Sequence, residues 1–241
     1  MMVSCRDVSK SFIGRHGVVK AVAGVSLQIK KGQALGLVGE SASGKTTLGK
    51  MILGIMKPDS GEITMNTSRP QVIFQDPYNS LDPKMKIRDI IGEGLLTGIG
   101  KLRSTKYELQ NKIQETADLV RLPVSVLDKY PHEFSGGERQ RIAIARAVVT
   151  EPEFIVCDEP VSSLDMTIQL DILNLLKDVR QKFSMTYLFI SHDLRAVKFI
   201  CDRVAVMKEG LIVEEGPTAQ IYSAPSHPYT KSLISSILEV S

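Results

Sequence analysis

Nowhere in the 241-residue sequence do about 18 apolar residues follow one another, so no segment is suited to crossing a bilayer as a helix. The first ten residues, Met1 to Lys10, are polar and lack the apolar stretch of a signal peptide. Cysteine is scarce. The three present, Cys5, Cys157 and Cys201, are scattered, and an odd, dispersed count gives neither a disulfide framework nor metal-type spacing. Free cytosolic thiols are the expectation, with Cys157 in the core because it lies inside an apolar run. An excess of one charge is also missing. Lys and Arg total 30 against 27 Asp and Glu, and no Lys/Arg run forms a basic tail, which argues against a nucleic-acid partner. Internal repeats and low-complexity segments are absent too. A membrane role, if any, must come through a partner and without direct insertion.

What is present is an ordinary globular composition, 43% hydrophobic and 24% charged, long enough for one domain with an inserted lobe or for two small domains. Ala34-Leu35-Gly36-Leu37-Val38, Phe154-Ile155-Val156-Cys157 and Tyr187-Leu188-Phe189-Ile190 are short uninterrupted apolar runs. Each ends at polar residues, as strands buried on both faces of a parallel sheet do. Val204 to Met207 and Leu211 to Val213, joined by Lys208-Glu209-Gly210, read as a hairpin. From Thr167 to Phe183 the apolar residues recur at helical spacing, with Asp165 as N-cap. Residues 76 to 134 are richer in polar and helix-forming residues and contain Gly92, Gly94, Gly98 and Gly100. That stretch reads as a mostly helical insertion between two core strands.

The chemistry begins with Gly39-Glu40-Ser41-Ala42-Ser43-Gly44-Lys45-Thr46-Thr47, which follows one predicted strand and opens a predicted helix from Thr46 to Leu53. This is a Walker A loop in the context that confirms it. Its glycines let backbone N–H groups curl around phosphate oxygens, and the helix N-terminus adds positive dipole. Lys45 would reach the β- and γ-phosphates, and the Thr46 hydroxyl would bind Mg²⁺. A chance match to this pattern in a chain of this length is on the order of one in a hundred, with glycine near its usual frequency.

After the run Phe154 to Cys157 come Asp158 and Glu159. Asp158 would emerge at the C-terminal end of a buried strand, where α/β sheets place ligands. By itself an acidic pair there is equally a helix cap. Behind a Walker A loop it becomes the expected partner, with Asp158 holding Mg²⁺ through a water and Glu159 polarising the attacking water.

Ser135-Gly136-Gly137-Glu138 has the Ser-to-Glu spacing of a capping box, so one reading is simply a well-capped helix. Two glycines in the first turn weaken a helix, however, and they bare its backbone N–H groups as an anion-binding terminus. Two phosphate-binding helix ends in one chain need two ligands, or one ligand shared between chains.

With these residues the sequence resembles the ATPase subunits of ABC transporters. Phe134 to Glu138 is similar to the family's signature loop, with Phe for the usual Leu and Glu for the usual Gln. Gln75 falls at the Q-loop glutamine that touches Mg²⁺ and water, Ser163-Leu164-Asp165 at the D-loop, and His192 at the switch histidine that contacts γ-phosphate. Phe12 falls where the family has an aromatic that stacks on adenine, the least specific of these matches. The resemblance implies an α/β fold with a P-loop NTPase (RecA-like) core, a mostly parallel sheet, an N-terminal antiparallel β subdomain and an inserted α-helical subdomain. It places the ATP-binding core with the β subdomain in residues 1–75 and 150–222, the helical subdomain in 76–149 and a short helical tail in 223–241. It implies ATP and Mg²⁺, catalysis by Glu159, His192 and Gln75, and ATP held between the Walker A loop of one subunit and the signature loop of another.

Two further stretches resemble the peptide and nickel importers of that family: Gln75 to Pro83, and His227-Pro228-Tyr229-Thr230-Lys231-Ser232-Leu233. Locally these are proline turns, the second leading into a last helix. The dispersed cysteines depart from the clustered ones of many longer peptide-type subunits and lean toward the nickel type. The resemblance implies a second ATPase subunit in a heterodimer, two transmembrane permease subunits and an extracytoplasmic substrate-binding protein. The chain would then sit peripherally at the cytoplasmic face of the cell membrane. An exporter or lipoprotein-release ATPase shares every nucleotide motif and is the alternative.

Overall fold

A computed structural model describes residues 1–14, 17–96 and 105–238; Gly98 and Gly100 of the predicted insertion lie outside them. The long hairpin β1 (Val3–Gly14) and β2 (Gly17–Ile29) leads to β3 (Ala34–Val38), helix α1 (Lys45–Ile52), β4 (Ser60–Met65) and β5 (Gln71–Ile73). Four helices follow: α2 (Pro77–Ser80), α3 (Ile87–Leu96), α4 (Lys106–Leu119) and α5 (Gly136–Val148). The chain then alternates through β6 (Phe154–Asp158), α6 (Met166–Phe183), β7 (Thr186–Ser191) and α7 (Leu194–Ile200). It closes with β8 (Arg203–Lys208), β9 (Leu211–Pro217), α8 (Thr218–Ser223) and α9 (Pro228–Leu238).

Six strands form the central sheet in the order β5-β6-β7-β3-β8-β9, parallel throughout except at β8-β9. The apolar runs are uninterrupted because each face of this sheet covers a different core. Phe154, Val156, Leu188, Ile190, Leu35 and Leu37 face one cluster, shared with α1 and the β1-β2 hairpin. Ile155, Cys157, Tyr187, Phe189, Val204 and Val206 face the other, shared with α5, α6 and α7. The side chains still alternate with the period of two; both faces are simply dry.

A second, antiparallel sheet of order β2-β1-β4 packs over the first cluster. It was visible in the sequence only through family resemblance. Bulges between Cys5 and Val8, Val8 and Ser9, and Lys10 and Ser11 shift its register. Each bulge adds a residue and breaks the alternation that would announce a strand. The predicted helical insertion does lie between β5 and β6, which are neighbours in the sheet. Helix α6 begins behind Asp165, whose carboxylate accepts from the Ile168 N–H at 3.1 Å, as its spacing required.

Candidate functional site

The loop from Gly39 to Gly44 joins β3 to α1. Its shape is fixed by backbone crowding. Gly39 and Gly44 hold φ of +152° and +105°, and a Cβ on them would stand 2.1 Å from the carbonyl oxygens of Met207 and Ala21 respectively. Those carbonyls belong to β8 and β2, so both sheets wrap the loop. Lys45 opens α1 and is 7% exposed. Its Nζ donates to the Gly39 and Glu40 carbonyls at 2.7 Å each and to Ser43 Oγ at 3.3 Å. Burial lowers its pKa, while the nearby carboxylates of Glu159, Asp158 and Glu40 pull in the opposite direction.

The acidic pair meets this loop from β6. Thr46 Oγ1 donates to Asp158 Oδ1 at 3.0 Å, across 112 residues of sequence. Burial holds the Asp158 carboxyl above its ordinary range, against the pull of the Thr46 bond. Glu159 is a non-glycine residue at φ +53°, a conformation that costs roughly 1–2 kcal/mol and clusters at functional sites. Its N–H is tied to the Ile190 carbonyl at 2.9 Å, which anchors this turn to the neighbouring strand. The carboxylate is 9% exposed as a residue and faces His192, whose Nδ1 lies 2.9 Å from Oε1 and 2.8 Å from Oε2. A carboxylate accepts only, so Nδ1 carries the proton. Oε2 is buried and accepts no hydrogen bond of good geometry among the described residues, leaving capacity for a further donor.

A cavity of about 410 Å³ opens over these groups. Ser41, Ala42, Gly44, Lys45, Thr46 and Thr47 form its floor, and Gln75, Glu159 and His192 close one side. Phe12 and Val19, cross-strand partners in the hairpin, give it an apolar wall; they are 40% and 62% exposed. Phe12 therefore lines the cavity and lies outside the core. Gly39, Glu40, Ser43 and Asp158 do not line the cavity; Gly39, Glu40 and Ser43 hold Lys45 and Asp158 holds Thr46 from behind.

Ser135, Gly136, Gly137 and Glu138 are not in that wall. They start α5 as a complete capping box: the Glu138 N–H donates to Ser135 Oγ at 3.4 Å, and Glu138 Oε2 accepts from the Ser135 N–H at 2.9 Å and from its hydroxyl at 2.8 Å. The chain thus carries two glycine-containing helix ends, and of these the cavity takes in the one at Gly44.

The family description "ABC transporter" matches residues 22–162, well over half of the chain. The chain belongs to the ABC transporter family. A second description, "Oligopeptide/dipeptide transporter, C-terminal region", matches residues 213–241 of this ABC ATPase. It is 44% identical to the oligopeptide transport ATP-binding protein OppF of Bacillus subtilis, over 98% of this chain and 82% of the relative. It is 46% identical to the dipeptide transport ATP-binding protein DppF of Lactococcus lactis, over 93% of this chain and 77% of the relative. Among solved structures it is similar to cbiO1 from Clostridium perfringens, part of the ABC transporter complex cbiONQ, at TM-score 0.81 and 25% identity, covering 92% and 91% of the two chains. A dimeric, post-hydrolysis structure of the ATP-binding cassette MJ0796 bound to ADP and Pi aligns at TM-score 0.79 and 25% identity, covering 90% and 99%. The α/β fold with its mostly parallel sheet is the ABC ATPase fold, and the chain is an ATP-binding subunit that hydrolyses ATP to drive transport.

Among the described residues no helix is long and apolar enough to cross a membrane. One contact escaped sequence reasoning: the Tyr229 hydroxyl accepts the Glu40 N–H at 3.1 Å. The only signal was the His227-Pro228-Tyr229 stretch, which nothing in the sequence connected to the loop 189 residues away.

Proposed function

We propose that this subunit powers uptake of oligopeptides or dipeptides, with Glu159 as the carboxylate that polarises the attacking water. The supporting observation is the pairing of Glu159 with His192 in the cavity that also holds Lys45 and Thr46. His192 orients the carboxylate, which lines the cavity where the attacking water would sit. Because Nδ1 donates to Glu159, Nε2 can donate to a phosphate oxygen only from the protonated ring. Lys45 supplies an ammonium over the loop whose N–H groups receive the β- and γ-phosphates. Gln75 and Phe12 line the cavity, where Gln75 would contact the water and the metal and Phe12 would meet the adenine ring.

Thr46 Oγ1 and Asp158 Oδ1, 3.0 Å apart, are hard oxygen donors of the kind Mg²⁺ takes in nucleotide sites. Thr46, Gln75 and Asp158 would hold it, directly or through water. When bound, Mg²⁺ neutralises charge on the phosphate oxygens.

In this reading residues 1–75 with 150–222 form the ATP-binding lobe, 76–149 the helical lobe and 223–241 the tail. Ser135 to Glu138 serve the nucleotide of a second ATPase subunit, in a heterodimer at the cytoplasmic face with two permeases and an extracytoplasmic binding protein. The dimeric MJ0796 cassette supports pairing. Peptide cargo is supported by the C-terminal match and the names of the relatives, several of them peptide import proteins of Brucella. Those names favour import over export and peptides over the nickel-type subgroup.

Glu159→Gln is expected to keep ATP binding and to lower turnover of the assembled transporter by roughly 10²–10⁴-fold, the range for losing a general base. Near-normal turnover would reject Glu159 in this role. Uptake of dipeptides, oligopeptides and Ni²⁺ by a deletion strain tests the cargo, and restoration of Ni²⁺ uptake alone would refute the peptide reading.

A further inference from the structure

The phosphate-binding loop is held at its first peptide by a residue of the last helix. The peptide group joining Gly39 to Glu40 is bonded at both ends: its carbonyl accepts from Lys45 Nζ at 2.7 Å, and its N–H donates to the Tyr229 hydroxyl at 3.1 Å. Lysine, peptide and phenol therefore form one hydrogen-bonded chain, in which each bond polarises the next. If that peptide rotates, the Gly39 carbonyl turns away and Lys45 loses one of its loop anchors.

Tyr229 is itself rigidly presented. The N–H groups of Ser226 and His227 both donate to the Glu214 carboxylate on β9, at 2.7 and 3.0 Å. His227 Nδ1 accepts the Tyr229 N–H at 3.2 Å, which fixes the entry into α9. Lys208 Nζ stands 4.9 Å from the centre of the Tyr229 ring, within cation–π range. The turn after Lys208 reaches the same loop, since the Gly210 N–H donates to the Ser43 carbonyl at 3.0 Å. Among the described residues the C-terminal quarter of the chain thus hydrogen-bonds the loop at two points, and of these two bonds the Tyr229 one is made by a side chain.

We infer that Tyr229 is a positioning residue for nucleotide binding: its hydroxyl fixes the Gly39–Glu40 peptide and, through it, the ammonium of Lys45. This rests on the reading of the loop as the ATP site. Tyr229 does not line the cavity that Glu159 and His192 line, so it acts on binding and leaves the hydrolytic step alone.

The decisive variant is Tyr229→Phe, which keeps the ring and its contact with Lys208 and removes one hydrogen bond. For the purified full chain, titrated with ATP and Mg²⁺, affinity is expected to fall about fivefold, the effect of one neutral hydrogen bond. In the assembled transporter KM for ATP is expected to rise about fivefold while kcat stays within about twofold. Amide exchange should quicken at Glu40 and remain unchanged along α9. Wild-type affinity in Tyr229→Phe, with binding abolished in Lys45→Ala, would overturn the role of Tyr229 and leave the ATP site standing. Faster exchange throughout α9 with Glu40 unaltered would also overturn it, by making Tyr229 a helix-docking residue. Wild-type ATP affinity in Lys45→Ala would remove the site reading and this inference together.

Discussion

The two glycine-containing helix ends of this chain, at Gly44 before α1 and at Ser135 before α5, look alike in sequence and differ in what surrounds them. The first is enclosed by its own molecule. Backbone from β2 and β8 crowds its glycines, Lys45 and Tyr229 clamp its opening peptide, and Asp158 at the end of β6 accepts from Thr46 at the start of α1. The second is closed by its capping box, and Ser135, Gly136 and Glu138 are exposed. Gly137 is explained from within, since a Cβ there would lie 2.6 Å from the Ile168 side chain on α6. Gly136 is not: a Cβ would find its nearest neighbour, Leu164, at an ordinary 3.5 Å. A residue whose smallness serves nothing in its own chain directs attention to a surface that another molecule closes upon.

Alanine substitution turns this contrast into measurements. Gly44→Ala is expected to have the largest effect. Its backbone is in the left-handed half of φ space and its Cβ would collide with the Ala21 carbonyl, a backbone atom that cannot swing aside. Stability should fall by about 2–4 kcal/mol in chemical denaturation, combining strain and overpacking, and ATP binding should be lost. Gly136→Ala should do the reverse in the isolated chain. Replacing a helical glycine by alanine at an unstrained position stabilises by about 0.4–1 kcal/mol, and ATP binding by the single chain should not change. Turnover of the assembled transporter should nevertheless drop on the proposed arrangement, in which the partner's nucleotide approaches that helix end. If Gly136→Ala left turnover untouched, the two ends would not be halves of different sites.

The smallest effect concerns acid. The Ser135 N–H and hydroxyl both donate to Glu138 and hold its carboxyl below the ordinary carboxylate range. A depressed folded-state pKa contributes stability that is present above the unfolded value, about 4.3, and is lost as pH falls through the folded value. Glu138→Gln should therefore lower stability slightly above about pH 4.3, where the charged form contributes, and leave a flatter acid limb below it. An unchanged acid limb would mean that the box does not hold the charge in solution.

Much of this was readable from spacing. Buried strands betrayed themselves as apolar runs because both faces of the central sheet are covered, and α6 showed a full amphipathic period behind Asp165. The β1-β2 hairpin was not readable, since its bulges scramble the alternation. Within the site, the Walker A loop is a local object whose nine consecutive residues carry the chemistry. The pairing of Glu159 with His192 bridges 33 residues and the Thr46–Asp158 bond bridges 112, so only family resemblance could bring them together beforehand.

The order of residues by itself determined the apolar strands of the central sheet at β3, β6 and β7, where the loop and helix caps lie, and which side chains have the chemistry for phosphate and water. Those are properties of neighbours along the chain, set by local sterics and periodicity. Tertiary structure alone decided that Glu159 is strained and hydrogen-bonded to His192, that Tyr229 grips the loop from the far end of the chain, and that Gly137 is packed while Gly136 is exposed. Each of these depends on atoms brought within a few ångströms by sheet order and helix packing, distances that no spacing in the sequence encodes.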